Sequence, residues 1–438
     1  MRGYPEYKDS GVEWAKNIPA HWNEKKLKHV SICLDEKRIP LNAKERGEMT
    51  GDIPYWGANG IVDHVSSWIF DEELVLVGED GAPFFDKNKD VAFNVSGKVW
   101  VNNHAHILRP IKPLINIKFL KYALNTVSYE LYINGSTRDK LTQFELNNIR
   151  LAYPPVKEQN QVANYLDRET ARIDKLITEK QNFIKLLKEK RQALISHVVT
   201  KGLDPDVKVK ESGIEWIGEV PEHWGLKPLK HIVLTRKGAA FKSNYFCDEG
   251  VSVIKASDIK NKTLRTSGIF LPSEFKKLFP KALIYHKEII LSTVGSLPEV
   301  KNSAVGQIGF VPKHLNGSLL NQNTVVFTAL QQYIFPEYLL LLLQLPSYRE
   351  HLDLNAHGTA NQASLNIIDM LNFSFYLPTT TEQKLLVDTL SVSLKSLEEL
   401  KNETLNSIDL LKEHRTALIS AAVTGKIDVR DQAKESAT

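Results

Sequence analysis

Ser10-Gly11-Val12-Glu13-Trp14, followed by Ile18-Pro19-Ala20-His21-Trp22 and Leu27-Lys28-His29-Val30, returns later in the chain as Ser212-Gly213-Ile214-Glu215-Trp216, Val220-Pro221-Glu222-His223-Trp224 and Leu229-Lys230-His231-Ile232. Positions 10, 21 and 29 map onto 212, 223 and 231, a constant shift of 202. A second pair, Lys188-Glu189-Lys190-Arg191-Gln192-Ala193-Leu194-Ile195-Ser196 and Lys412-Glu413-His414-Arg415-Thr416-Ala417-Leu418-Ile419-Ser420, is shifted by 224. Between these ends the two halves barely resemble each other. A duplicated frame therefore surrounds two unlike inserts.

The second pair closes two long helical patterns. From Glu158 apolar residues fall at Val162, Leu166, Ile173, Leu176, Ile177, Phe183, Ile184, Leu187, Leu194, Ile195 and Val198, helical spacing without Gly or Pro. From Glu382 the stripe recurs at Leu386, Leu390, Leu397, Leu400, Ile408, Leu411, Leu418, Ile419 and Ala422. Pro154-Pro155 and Pro378 precede the patterns, and Gly202 and Gly425 follow them, as start and stop signals should. A helix of about 42 residues is roughly 60 Å long, and its single stripe needs a partner of matching length. The repeat is that partner, and a two-fold relation would set the helices antiparallel. Leu166, Ile173, Leu176, Phe183, Leu187 and Leu194 are expected to pair with Leu390, Leu397, Leu400, Ile408, Leu411 and Leu418.

The inserts read as β-rich. Leu74-Val75-Leu76-Val77, Ala282-Leu283-Ile284-Tyr285 and Asn323-Thr324-Val325-Val326-Phe327 are predicted strands, separated by Gly, Asn and Asp clusters. Helices are predicted over 117–131 and 336–352. The fold class is therefore α+β. Its expected layout is 1–157 and 203–380 as β-rich domains, 158–202 and 381–426 as spacer helices, and 427–438 as a polar tail.

With 438 residues, 42% hydrophobic and 25% charged, the chain is an ordinary globular protein of more than one domain. The formal charge of +4 permits a nucleic-acid partner without establishing one. Cys33 and Cys247 are the only cysteines, which argues against a disulfide framework and fits a reducing cytoplasm. No apolar run approaches a membrane span.

Catalytic constellations are not found. Gly97-Lys98 is followed by Val99 and Gly425-Lys426 by Ile427, so neither is a phosphate-binding loop. Tyr153-Pro154-Pro155-Val156 lacks the acidic or amide residue and the aromatic of an amino-methyltransferase loop. Asp206-Val207-Lys208 reads as surface linker rather than as part of a nuclease motif, because no convergent acidic groups accompany it. His21 and His223 read as parts of a packing turn, and no helical His pair supports a metal site. The chain is expected to hold no catalytic, cofactor or metal residues.

Side chains suited to base edges and phosphates sit in the β-rich inserts. Thr137, Arg138 and Lys140 form one cluster, and Asn361, Gln362 and Ser364 take the corresponding place in the second half. Arg reads guanine, while Asn and Gln read adenine, at about 1–3 kcal/mol per bidentate pair. Trp56, Asn59, Asn94, Lys98, Asn102 and Asn103, with Lys255, Ser257, Asp258, Lys260, Asn321 and Gln322, are weaker candidates.

The whole arrangement resembles the specificity subunit of type I DNA restriction-modification systems. The resemblance is carried by residues 10–22 with 212–224, by Pro154-Pro155-Val156-Lys157-Glu158-Gln159 and its relative ending in Glu382-Gln383, and by the two Ala-Leu-Ile-Ser ends. Tyr55-Trp56-Gly57-Ala58-Asn59-Gly60-Ile61, Val101-Asn102-Asn103-His104-Ala105-His106 and Ile254-Lys255-Ala256-Ser257-Asp258-Ile259 add to it. Thr379-Thr380-Thr381 departs from the proline-rich spacer of the first half. The resemblance implies two target-recognition domains, separated by two long antiparallel coiled-coil helices in a pseudo-two-fold circular arrangement. It implies a non-catalytic subunit that binds a bipartite, asymmetric double-stranded DNA target and assembles with two methyltransferase subunits and with motor-nuclease subunits. S-adenosylmethionine, ATP and Mg2+ would then belong to those partners. Two other readings fit less well. A self-sufficient DNA methyltransferase or endonuclease lacks its motifs, and a coiled-coil scaffold without sequence preference leaves the two divergent inserts unexplained.

Overall fold

The computed structural model describes residues 2–133, 139–296, 304–359 and 362–430. Two helices dominate it, Val156–Lys201 and Thr380–Val423, of 46 and 44 residues. Each ends on a glycine in the left-handed region, Gly202 at φ 79° and Gly425 at φ 71°, which releases the chain from the helix without a Cβ clash. The chain divides into two units, Met1–Phe183 with Glu403–Thr438, and Ile184–Asn402. The first long helix begins in unit one and ends in unit two, and the second does the reverse.

In unit one, Val162, Leu166 and Ile173 of the first helix share a core with Leu418, Ile419 and Ala422 of the second. In unit two, Ile195 and Val198 share a core with Leu386 and Leu390. Each unit thus sets the start of one long helix with the end of the other, as an antiparallel pair requires.

Burial corrects the expected stripe. A seam of protected positions runs through 166, 170, 173, 177, 180, 184, 187, 191, 195 and 198 of the first helix and through 390, 394, 397, 401, 404, 408, 411, 415, 418 and 422 of the second, with further buried residues such as Val162, Tyr165, Val199, Leu386 and Ile419 near the helix ends. Steps of three and four alternate almost throughout, the spacing of helices packed along a 3.5-residue seam. Leu176, Phe183 and Leu400 are exposed. Each directly precedes a protected position, and one residue is a turn of about 100° around a helix. Lys180, Arg191, Lys401, Thr404 and Arg415 occupy the seam instead.

Unit one carries two four-stranded sheets. One orders Gly60–Val65, Thr50–Gly57, Lys98–Val101 and Phe70–Asp71, and the other orders Ser31–Cys33, Ala105–Pro110, Leu74–Gly78 and Ala92–Val95. Leu74–Gly78 is apolar at successive positions because both of its faces are covered. Val75 and Val77 enter the core shared with the helices, while Leu74 and Leu76 enter a second core with Val99, Val101 and Ile107. Unit two repeats the logic in a six-stranded sheet that includes Ile289–Ser292 and Thr324–Ala329. There Ile289, Leu291, Val325 and Phe327 face the helix side, and Ile290 and Val326 face the opposite core.

Three local expectations are corrected. Ala282-Leu283-Ile284-Tyr285 is not a strand: Pro280–Ala282 forms a 3-10 turn and Leu283 makes only an isolated bridge to Leu319. The predicted helix over 336–352 is two helices, Pro336–Leu342 and Pro346–Leu354, because Leu345 is driven to extended backbone by the proline after it. The helix predicted over 117–131 ends at Leu124, with a separate 3-10 turn at Tyr129–Leu131. The side chain of Asn125 accepts hydrogen bonds from Val91 N and Ala92 N at 2.7 and 2.8 Å and so ties that helix end to the sheet.

Candidate nucleic-acid interface

The duplicated motifs are joined by a carboxylate. Glu158, in the first turn of its helix, accepts from Trp22 Nε1 at 3.0 Å and Tyr4 Oη at 2.6 Å, and its other oxygen lies 2.8 Å from His21 Nε2. Glu382 repeats this with Trp224 Nε1 at 3.1 Å and His223 Nε2 at 2.9 Å. Gln159 Nε2 donates to Pro154 O and Leu114 O while its Oε1 accepts from Asn116 N. Gln383 does the same with Pro378 O, Tyr333 O and Phe335 N. The Glu-Gln pair thus fastens each helix start to its β-rich domain. His21 and His223 have this packing role.

The candidates of unit one gather in part at the end of Leu74–Gly78. Lys140 bridges Asp80 through the backbone and its Nζ lies 3.0 Å from Glu79 Oε1, with half of the side chain exposed. Asn59 Nδ2 donates to Gly81 O at 3.0 Å. Asn103 is exposed beside them. Asn102 is buried, and its Oδ1 accepts from His104 N at 2.8 Å. That bond shapes the turn and corrects its reading as a base-contacting side chain. Trp56 is packed against Phe93 with ring centres 5.7 Å apart, and its indole nitrogen is buried without a partner, as is Asn94 Oδ1. Lys98 stands apart, its Nζ 3.7 Å above the Trp68 ring. Thr137 and Arg138 lie outside the described residues.

A charged chain runs beneath this surface. Lys140 meets Glu79, Glu79 meets Arg38, Arg38 lies 3.6 Å from Asp35, and Asp35 Oδ2 is 2.5 Å from His106 Nδ1. His106 Nε2 reaches Leu141 O at 2.8 Å. Burial alone would raise the Asp35 carboxyl, but the His106 hydrogen bond and charge, the Ile107 N–H and Arg38 together hold it below the usual carboxylate range. Cys33, Asp35 and His106 stand close enough to hold a metal ion. Their atoms are otherwise engaged: both imidazole nitrogens are hydrogen-bonded, Asp35 Oδ1 accepts from Ile107 N, and burial pushes the Cys33 thiol up to about 11. The cluster is a buried, hydrogen-bonded carboxylate–imidazole pair that supports the segment carrying Lys140.

In unit two Lys255, Ser257 and Lys260 lie on one segment, around the 3-10 turn Ala256–Asp258. Ser257 and Lys260 are exposed, whereas Asp258 accepts from Lys255 N at 2.8 Å, and burial raises its carboxyl. Asn321 N donates to Ile254 O at 2.9 Å, which places Asn321 and the exposed Gln322 beside that segment. Thr293 N donates to Asn323 O, and Val294 pairs with Ser364, so the exposed Ser364 is tied through that strand to the segment carrying Asn321 and Gln322. Gln362 lies in the strand Gln362–Ser364, and Asn361 lies outside the described residues. Arg191, which matches Arg415 in the repeat, and Lys262 meet at Gln344, a pairing that neither base-edge chemistry nor spacing singles out.

The model of the type I restriction modification DNA specificity domain matches the chain twice, over residues 19–186 and 221–410. A specificity subunit of a type I restriction enzyme from Methanocaldococcus jannaschii is 27% identical over 422 residues, covering 94% of this chain and 95% of that one. A Haemophilus influenzae protein described as a candidate specificity subunit of the same kind is 33% identical over 162 residues, or 37% of this chain and 38% of that one. A solved structure from work on complex assembly and conformational transition of the type I system shares the fold at a TM-score of 0.67, with 14% identity, covering 93% of this chain and 98% of that one. No helix among the described residues is long and apolar enough to cross a membrane. Two matched copies covering most of the sequence settle the assignment: the chain belongs to the type I restriction-modification DNA specificity family.

Proposed function

We propose that this chain is a sequence-specific DNA-binding subunit that recognises a bipartite, asymmetric duplex target, one half-site through each β-rich domain, and directs methyltransferase and restriction subunits to it. One observation carries the reading. Two domains matched by a single family model keep the same Glu-Gln fastening to their helices yet present unlike polar side chains, Lys140, Asn59 and Asn103 in one and Lys260, Ser257, Gln322 and Ser364 in the other. Equal frames with unequal surfaces fit two readers of different sequences. A specific site exceeds non-specific binding by roughly 4–10 kcal/mol, more than one small domain reading a short half-site supplies at about 1–3 kcal/mol per base.

Methyl transfer, S-adenosylmethionine, ATP and Mg2+ are assigned to partner subunits, two methyltransferases and the motor-nucleases, and the working compartment to the cytoplasm. The chain itself carries no catalytic role in this reading. The test is a methylation map of host DNA made with the natural subunit and with one in which residues 31–150 come from another family member. Change in one half-site alone is the expected result. Change in both, or a continuous or palindromic target, would overturn the proposal.

A further inference from the structure

Strands Ile259–Lys260 and Thr263–Leu264 are joined by Asn261 and Lys262, both left-handed, at φ 50° and 63°. Lysine is an uncommon choice at such a position, where Gly or Asn is cheaper, so its presence invites a reason. The turn brings Lys262 Nζ to 2.5 Å from Gln344 Oε1, the same oxygen that Arg191 Nη1 reaches at 3.3 Å. Gln344 is held from behind by Gln192 Nε2, which donates to its backbone oxygen at 3.1 Å. Two cations share one neutral oxygen, and among the described residues neither has a carboxylate at ion-pairing distance. Burial pulls the Lys262 amine down to about 8, with Arg191 adding to the effect, and burial also lowers Arg191.

The other half of the chain supplies an internal comparison. Arg415, the repeat of Arg191, is closed by carboxylates: its Nε donates to Asp174 Oδ1 at 3.0 Å, and Nη1 lies 3.7 Å from Asp90 Oδ1. The residue matching Asp174 in the 224-residue repeat is Glu398, which pairs with Lys401 and acts on Arg191 only through space, from beyond ion-pairing distance, partly offsetting its burial. Lys401 stands where the first helix has Ile177. Where unit one brings Asp90 to its arginine, unit two brings Lys262. An open cleft of about 710 Å³ is lined by Lys260, Lys262, Gln344 and Arg349 among others; Arg191 does not line it and stands behind Gln344, on the oxygen it shares with Lys262, while Arg349 is already paired with Asp353.

We propose that Arg191 and Lys262 form an anion seat in which unit two grips a backbone phosphate of the DNA. The inference rests on the target-reading function above. A polyanion fits better than a single carboxylate, because Lys255, Ser257 and Lys260 continue the polar and cationic surface along the same short segment. Phosphate contacts fix the register of a protein on the duplex while bases supply the discrimination. The seat would therefore position this domain without choosing its sequence.

The experiment measures binding of the assembled complex to a target duplex and to an unrelated duplex over a salt series, for the natural protein, Lys262→Gln, Arg191→Gln and Lys262→Arg. Each Gln variant should weaken both duplexes by a similar factor, about 3- to 10-fold at moderate salt, and reduce the slope of log K against log salt by about 0.9 for one lost phosphate contact. Lys262→Arg should restore most of the slope, and the methylated sequence should not change. In a second arm, inorganic phosphate should raise the Tm of the free natural subunit and leave that of Lys262→Gln unmoved. An unaltered salt slope overturns the seat while the target-reading function stands. Loss of subunit assembly with DNA contacts intact also overturns it, in favour of an acidic protein partner. If the natural complex prefers no sequence, the functional reading fails and the phosphate arm alone decides the seat.

Discussion

Trp22 Nε1 donates to Glu158 Oε1 at 3.0 Å, and Trp224 Nε1 donates to Glu382 Oε1 at 3.1 Å, so two residues 136 apart in one half are matched by two residues 158 apart in the other. The bond joins the repeated His-Trp turn to the repeated Glu-Gln helix start. It is the same in both copies although the domain between its ends differs in length. The two copies are not equally buried: 8% of the Glu158 side chain is exposed against 27% for Glu382. Glu158 also receives the Tyr4 hydroxyl, whereas Asp206 stands at the position that matches Tyr4.

Glu158→Ala should therefore be the costlier change. It strips Tyr4, Trp22 and His21 of their acceptor, a loss of about 3 kcal/mol, while Glu382→Ala strips only the buried Trp224 and the half-exposed His223, at a site that is itself more open, and should cost about 1–2 kcal/mol. Denaturant unfolding followed by tryptophan fluorescence compares them directly. Equal losses would show that the partial exposure of Glu382 does not matter.

Ile184→Ala should cost about 2–4 kcal/mol, whereas Phe183→Ala and Leu176→Ala should each stay below about 1 kcal/mol. Ile184 is 8% exposed, and its neighbour Phe183 is 40% exposed although it is the larger side chain. Thermal unfolding of the three variants checks the ranking. A greater loss from Phe183→Ala would place the seam one residue earlier.

What the residues reveal unaided depends on whether a role is set locally. The 224-residue repeat, the helix stops at Gly202 and Gly425, and the two-faced strand of Leu74-Val75-Leu76-Val77 are legible because period and turn chemistry are local properties. The seam is legible only to within one residue, since Leu176 next to Ile177 and Phe183 next to Ile184 offer two adjacent apolar faces. Lys180, Arg191, Lys401 and Thr404 could not be placed on it by hydrophobicity. Asn102 and Asn59 carry the same amide, yet one is consumed by the turn at His104 and the other lies exposed beside Gly81, a difference that only the tertiary partner decides. The pairing of Arg191 with Lys262 across 71 positions has no spacing signature at all.

Lys262 gives a pH signature with an unusual sign. Its amine, brought to about 8 in the folded chain by burial and by Arg191, has an unfolded value near 10.4. Between these values the unfolded state binds more protons than the folded one, so this group makes stability rise with pH over that window; below about 8 the full cost of holding the charge is present. The groups that face it are Arg191 from the long helix and the neutral Gln344, with Lys260 and Arg349 along the cleft. Unfolding free energies from pH 7.5 to 10 should climb less steeply in Lys262→Gln than in the natural chain. Identical slopes would mean that the amine is ordinary and the cation pair is compensated.

Asp35 also makes stability rise with pH, but at acid pH and because its contacts favour the charged form instead of burial penalising it. Burial acts to raise its carboxyl, and the His106 contact, the Ile107 N–H and Arg38 overcome that, so the folded value lies below the unfolded value of about 3.9. A depressed carboxyl stabilises the fold above its unfolded pKa and loses that contribution as pH falls through the folded value. Acid unfolding below about pH 4 should thus be shallower in Asp35→Asn, which starts less stable at neutral pH because Arg38 loses its counter-charge and the contacts to His106 and the Ile107 N–H are weakened. The consequence for reading is local. His106 Nε2 holds Leu141 O, and Glu79 O accepts from Leu141 N at 2.8 Å, so Asp35→Asn should speed amide exchange at 140–141 and leave the segment 255–260 of unit two unchanged. In a methylation map the same variant should relax one half-site and keep the other. Relaxation of both half-sites, or unaltered exchange at Leu141, would show that the buried chain of charges does not support the Lys140 segment.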